Sequence, residues 1–148
     1  MKMETMSESE EQQALFVWAR LMQGKYPALK LMYHIPNEGK RSKACAGRMV
    51  AEGLRAGVPD ICLPAPAGKY HGLYIELKAK GGKVSPLQKE WLIALAEQGY
   101  VTALCYGWQD ATREITQYLN EGSGTSDIVE REKTLDRVED KQCRISET

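Results

Sequence analysis

The chain has 148 residues, 43% apolar and 27% charged, enough for one compact domain with its own core and unlike a disordered or collagen-like chain. No apolar run reaches the roughly 18 residues that a membrane span needs, and the polar, acidic N-terminal stretch lacks the pattern of a secretory leader. Twenty Lys and Arg against twenty Asp and Glu give a formal net charge of zero, which on its face argues against a polyanionic partner.

From the N-terminus, Leu15, Trp18, Ala19 and Met22 recur at helical spacing and predict an amphipathic helix over residues 11–22, ended by Gly24 and Pro27. Residues 30–35 read as a short strand closed by the turn cluster Pro36-Asn37-Glu38-Gly39. A helix rich in small residues is expected over 43–55, then a second strand over 58–63, a Pro-Ala-Gly loop over 64–68 and a third strand over 73–79. The next helix opens with Ser85 as N-cap, Pro86 at its first position and Gln88 placed to complete a capping box. Leu87, Trp91, Ala94 and Leu95 are its expected core face, and Gly99 ends it. A fourth strand over 101–106 and a helix over 110–119, with Ala111, Ile115 and Leu119 on one face, complete the order. From residue 121 the composition is that of a linker, followed by a charged segment with few large apolar residues. The division expected is a domain over 1–120 and a flexible tail over 121–148. The fold class expected is α/β, a mixed sheet of about four strands flanked by helices.

The neutral total is unevenly spread. Residues 1–12 hold four acids and one base, and residues 121–148 hold eight acids and five bases, so residues 13–120 carry a net +6. Five bases, Lys40, Arg41, Lys43, Arg48 and Arg55, fall in one stretch. Such a cluster can contact phosphates, although a solvated loop and helix is the plainer reading of charge alone. Cys45, Cys62, Cys105 and Cys143 are spaced like neither a zinc site nor a disulfide framework, and reduced thiols in a cytoplasm are expected.

The third strand reads Leu73-Tyr74-Ile75-Glu76-Leu77-Lys78. Alternation puts Leu73, Ile75 and Leu77 on one face and Tyr74, Glu76 and Lys78 on the other. Upstream, Gly57-Val58-Pro59-Asp60 places an acid at the start of the second strand; if the two strands are neighbours, Asp60 and Glu76 converge. Two carboxylates make an oxygen site for a hard cation such as Mg²⁺. A lysine beside them can serve a water or stabilise charge developing on a phosphate. Glu-x-Lys alone reads as an exposed ion pair, but joined to Pro-Asp at hairpin distance it points to a metal nuclease site. Trp18 and Trp91 read as core anchors, Tyr74 as a packed tyrosine, and His34 and His71 as structural or exposed. Gly81-Gly82-Lys83 is a turn and not a phosphate-binding P-loop.

Gly57-Val58-Pro59-Asp60, Tyr74-Ile75-Glu76-Leu77-Lys78 and Ser85-Pro86-Leu87-Gln88 resemble the motifs of the PD-(D/E)xK nucleases, and more narrowly the VRR-NUC (virus-type replication-repair nuclease) domain. His34-Ile35-Pro36-Asn37-Glu38-Gly39 and the Glu11-Gln12-Gln13 opening of the first helix fit it too, so the likeness runs from about Glu8 to Leu119. The resemblance implies a restriction-endonuclease-like core and metal-dependent cleavage of DNA. It implies Mg²⁺ or Mn²⁺ held by Asp60, Glu76 and the Leu77 carbonyl, with Lys78 serving the nucleophilic water. Among the first-helix acids Glu8, Glu10 and Glu11, Glu11 is the first choice to complete the site, against ordinary acid enrichment in a first turn. Gln88 either serves the site or only caps its helix, and Asn37 either lines the site or forms a turn. Lys40, Arg41, Lys43, Arg48 and Arg55 would hold the DNA backbone. A homodimer acting on branched DNA, as Holliday-junction resolvases do, in a bacterial or phage-infected cytoplasm, is the wider implication. Two other functions stay open. One is a catalytically silent DNA-binding or assembly module, against which the intact Asp, Glu and Lys argue. The other is a sequence-reading restriction-type enzyme, for which the chain has no obvious extra domain.

Overall fold

The first regular element begins where Ser7 can cap it. In the computed structural model, which describes residues 4–37 and 42–124, the Ser7 hydroxyl accepts from the Glu10 amide and the Glu10 carboxylate accepts from the Ser7 amide. This reciprocal capping box satisfies amides that a helix start leaves bare. It starts α1 (Glu8–Leu21) three residues before the apolar periodicity does. The Ser7 amide, and then the Ser7 hydroxyl, hold the exposed Glu10 carboxyl below its ordinary range.

The strand expected over 30–35 is replaced in its first half. Pro27 opens a 3-10 turn over Pro27–Leu31 that carries Leu29 into the core, and only β1 (Tyr33–His34) remains extended. Proline's fixed φ favours that tight start over a strand. Next come α2 (Lys43–Ala51), β2 (Ile61–Leu63), β3 (Leu73–Lys78), α3 (Pro86–Glu97), β4 (Val101–Tyr106) and α4 (Trp108–Glu121). Helix α2 is shorter than the expected 43–55, and none of its residues is buried. Helix α4 continues one residue past the expected domain boundary at 120. The tail from residue 125 onward lies outside the described residues.

The strands lie in chain order, β1-β2-β3-β4, antiparallel except for the parallel β3/β4 pair that α3 bridges. A parallel pair needs such a crossover. The observed fold is therefore α/β with a mixed four-stranded sheet, as expected. Leu73, Ile75 and Leu77 do share a face. They meet Val101, Ala103 and Cys105 of β4, Leu15 and Ala19 of α1, and Ala111, Ile115 and Tyr118 of α4 in one core.

Helix α3 covers part of the other face, and here the reading of sequence needs correction. Its buried residue is Leu92, whereas Leu87 and Ala94 are exposed and Trp91 is half-buried. The inward stripe is Gln88, Leu92 and Leu95, spaced i, i+4, i+7. Leu87 and Trp91 turn sideways instead. A Cβ added at Gly57 (φ +83°) would sit 2.6 Å from the Leu87 side chain, and the Trp91 indole donates to the Ala56 carbonyl at 3.0 Å. Together they clamp the segment that leads into Asp60. Among the described residues no helix is long and apolar enough to cross a membrane.

Candidate active site

Register brings the two sequence-marked acids together. Ile61 pairs with Ile75 and Cys62 with Tyr74, so Asp60, just before β2, lies across from Glu76. Asp60 is fixed at both ends. Its Oδ2 accepts from the Leu77 amide at 2.8 Å, and its carbonyl accepts from the Ile35 amide at 2.7 Å. The Asp60 carbonyl also lies 2.8 Å from His34 Nδ1. A carbonyl only accepts, so that ring nitrogen carries the proton.

Glu76 and Lys78 are not an exposed pair. They are 1% and 6% exposed, because α3 covers the face that alternation leaves polar. Lys78 Nζ stands 3.2 Å from Glu76 Oε1 and 3.9 Å from Glu8 Oε1. Gln88 Nε2 donates to Glu76 Oε1 at 2.8 Å, while Gln88 Oε1 accepts from the Ser85 amide at 2.8 Å. The two readings of Gln88 are thus one arrangement: the capping amide of α3 also holds the acid of β3. Glu76 Oε2 is buried with no hydrogen-bond partner among the described residues.

Electrostatics follow from this crowding. Burial, and then the neighbouring Asp60, push the Glu76 carboxyl up to about 8, against the pull of Lys78. For Lys78, burial works against the charge, but Glu76, Glu8 and Asp60 outweigh it and hold the ammonium above its ordinary range. Ionising buried Glu76 beside half-buried Asp60 puts two carboxylates against one ammonium, and a cation in the proton's place would offset that charge.

The acids of α1 divide three ways. Glu10 is consumed by the cap. Glu11, the expected ligand, instead accepts from the Trp108 amide at 2.7 Å, where its charge suits the N-terminus of α4. That terminus begins at Gly107, which has no side chain to cap it. Glu8 is the acid that reaches Lys78. It lines a cavity of about 220 Å³ with Asp60, Leu77 and Asn37. Ser9, Gln12 and His34 complete its wall, so the exposed His34 also belongs to the rim of the site. The available signal was Ser7-x-x-Glu10, which fixes the helix register and uses up Glu10, and the alternation along β1 that separates His34 from Tyr33.

The structure thus gathers Asp60, Glu76, Leu77, Lys78 and Gln88, with Asn37 at the cavity wall. None of the described bases lines this cavity. Lys43, Arg48 and Arg55 are exposed on α2 and the loop after it, Arg48 meeting Glu52 at 4.0 Å. Lys40 and Arg41 lie outside the described residues. Among the described residues no group of three or more His, Cys, Asp and Glu side chains is close enough to hold a metal ion. The described residues thus bring together two carboxylates, Asp60 and Glu76, and not three.

An α/β domain with paired acids and a lysine at neighbouring strands defines the class, and comparison with known proteins defines the family. Residues 4–109 match the VRR-NUC domain, more than half of the chain, and the chain belongs to the VRR-NUC family. A solved structure described as a VRR_NUC domain protein superposes with a TM-score of 0.68 at 28% identity, covering 79% of this chain and 91% of that one. No curated protein matches the chain. Family membership carries a nuclease-type, DNA-directed hydrolase function, in a family that generally uses divalent metals.

Proposed function

We propose that the chain is a divalent-metal-dependent endodeoxyribonuclease selective for branched DNA and active as a homodimer. The observation that supports the metal most directly is Glu76 Oε2, buried beside Asp60 and without a hydrogen-bond partner among the described residues. An orphaned buried carboxylate oxygen is costly unless something charged completes it. Asp60, Glu76 and the Leu77 carbonyl offer only hard oxygen donors, which suits Mg²⁺ or Mn²⁺ with water and substrate phosphate filling the remaining positions. Bound there, the ion would supply Lewis-acid stabilisation of the phosphate and a more acidic water.

The chain's own residues do the rest. Asp60, tied to the Leu77 amide, and Glu76, tied to Gln88, are held rigid as ligands. Lys78 orients the attacking water and balances charge developing on the phosphate. Glu8 keeps the ammonium placed at the cavity edge. Asn37 lines the wall where the substrate backbone enters, and the bases from Lys40 to Arg55 contact flanking phosphates.

The experiment is a cleavage assay on purified full-length chain, with Mg²⁺, Mn²⁺ or EDTA, on duplex, flap, splayed-arm and four-way substrates. Metal-dependent cutting that prefers the branched substrates, and is lost in Asp60→Asn and Glu76→Gln, is expected. Full activity in EDTA or in those variants would overturn the metal assignment. A monomer by light scattering would overturn resolution by paired cuts.

A further inference from the structure

A second cavity lies beside the first. It has a volume of about 360 Å³ and is lined by Gln12, Gln13, Phe16, Val17, Arg20 and His34. Gln12 and His34 also line the cavity that holds Asp60 and Leu77, so the two are neighbours with a shared wall. Gln13, Phe16, Val17 and Arg20 are spaced i, i+3, i+4, i+7 and make one stripe of α1. The stripe is about 10 Å long at 1.5 Å per residue, room for a few nucleotides stacked at about 3.4 Å each.

The lining has the chemistry of a single strand's path. No acid is present, and Arg20 makes no ion pair among the described residues. The Gln12 amide, half-buried, has no hydrogen-bond partner among them either. Phe16, partly buried against the core, lines the groove, and Val17, 47% exposed, adds an apolar floor. His34, with Nδ1 committed to the Asp60 carbonyl, keeps Nε2 for whatever passes the mouth. Amides and a guanidinium bind phosphates, and an aromatic ring stacks on any base.

We propose that this groove along α1 binds single-stranded nucleotides next to the scissile phosphate, so the substrate class is DNA with an unpaired arm at the cut. The inference rests on the nuclease reading above and adds a site and a specificity to it. The groove could instead seat a second copy of the chain, but a lining without acids, the cation and the wall shared with the cleavage cavity favour the nucleic acid.

Binding is measured on the full chain in EDTA by fluorescence anisotropy, with a labelled oligothymidine of about a dozen nucleotides and a blunt hairpin duplex as probes. Arg20→Glu should weaken the oligothymidine about tenfold and Arg20→Gln several-fold, with less than about a twofold change on the hairpin. With Mg²⁺, cutting of an arm-bearing duplex should fall in parallel while cutting of the blunt one holds. Equal losses on both probes, or no loss, would overturn the groove. A Val17→Glu chain that turns from dimer to monomer with unchanged oligothymidine affinity would also overturn it, in favour of a contact between copies. Should Arg20→Glu not fold, Arg20→Gln decides alone. Anisotropy needs no catalysis, so a chain that binds at α1 but cuts nothing sinks the nuclease reading and not the groove. A chain that cuts normally with unchanged oligothymidine binding sinks only the groove.

Discussion

At the scale of the residue, Glu76 couples chemistry to stability. Its carboxyl titrates near 8 in the fold against 4.5 ordinarily, so the folded state keeps a proton that the unfolded chain has released. The stabilisation tied to that proton is fully present below about pH 4.5 and is lost as pH rises through about 8. Its size is on the order of a few kcal/mol. In EDTA the melting temperature should therefore fall between pH 5 and pH 8, and this dependence should flatten in Glu76→Gln. Mg²⁺, taking the proton's place, should raise the wild-type midpoint more at pH 8 than at pH 5. An identical pH slope in wild type and Glu76→Gln would refute the account. The two helix acids separate by the same logic. Glu11→Ala removes a carboxylate from the start of α4 and should cost about 1 kcal/mol in urea unfolding while leaving Mn²⁺ affinity unchanged. Glu8→Ala should cost little stability but lower the cleavage rate, because Lys78 loses one of its anchors. Nothing in the residue order distinguishes Glu8 from Glu11: both sit on the inner side of α1, and only the third dimension shows that Gly107 leaves α4 in need of a cap.

At the scale of the element, the site depends on how α3 is rolled. Gln88 closes the capping box of α3 and holds Glu76 with the other end of the same amide. Gln88→Ala should thus cost about 1 kcal/mol through the cap and, as loss of a ligand's supporting hydrogen bond, about ten- to a hundredfold in Mn²⁺ affinity or cleavage; isothermal titration and the nicking assay check it. A drop in stability with full activity would reduce Gln88 to a cap. Gly57 tests the other side of the same helix. Its positive φ and the closeness of Leu87 mean that Gly57→Ala should destabilise by about 2 kcal/mol in urea and slow cleavage, since residues 57–60 carry Asp60 into place. The α3 cap was legible in sequence because Ser85, Pro86 and Gln88 carry local signals. Its core face was not. Leu87 and Trp91 are the most apolar residues of the first turns and drew the stripe one position off, whereas their partner is a glycine some thirty residues earlier. The strand over 30–35 failed for the opposite reason: Pro27 sets a tight turn locally, and apolar Leu29 and Leu31 look the same in a 3-10 turn as in a strand. The mixed sheet followed from element order, whereas the choice of β3/β4 as its parallel pair, bridged by α3, comes from the structure.

At the scale of the molecule, charge decides how the site meets its polyanion. The neutral total conceals a body of +6 over residues 13–120 and acidic ends. Some of the N-terminal acid is structural and does not repel DNA at long range: Glu10 closes a cap, Glu11 faces the amides of α4, and Glu8 is neutralised by Lys78. Most of the C-terminal acid lies outside the described residues. Residues 125–148 hold seven acids and five bases, so a chain ending at Gly124 would gain a net +2 and keep α4 with its Gly122 cap. Counterion release makes binding to a polyanion fall with salt according to the phosphates neutralised, and a tail of net −2 competes for the same cations. The shortened chain should bind duplex DNA a few-fold more tightly at low salt, with the gain vanishing near the ionic strength at which the Debye length shrinks to about 8 Å. Fluorescence anisotropy across a salt series measures both. A gain that persists at high salt would mean that the tail blocks the site sterically, and equal affinities throughout would make its charge irrelevant to DNA binding.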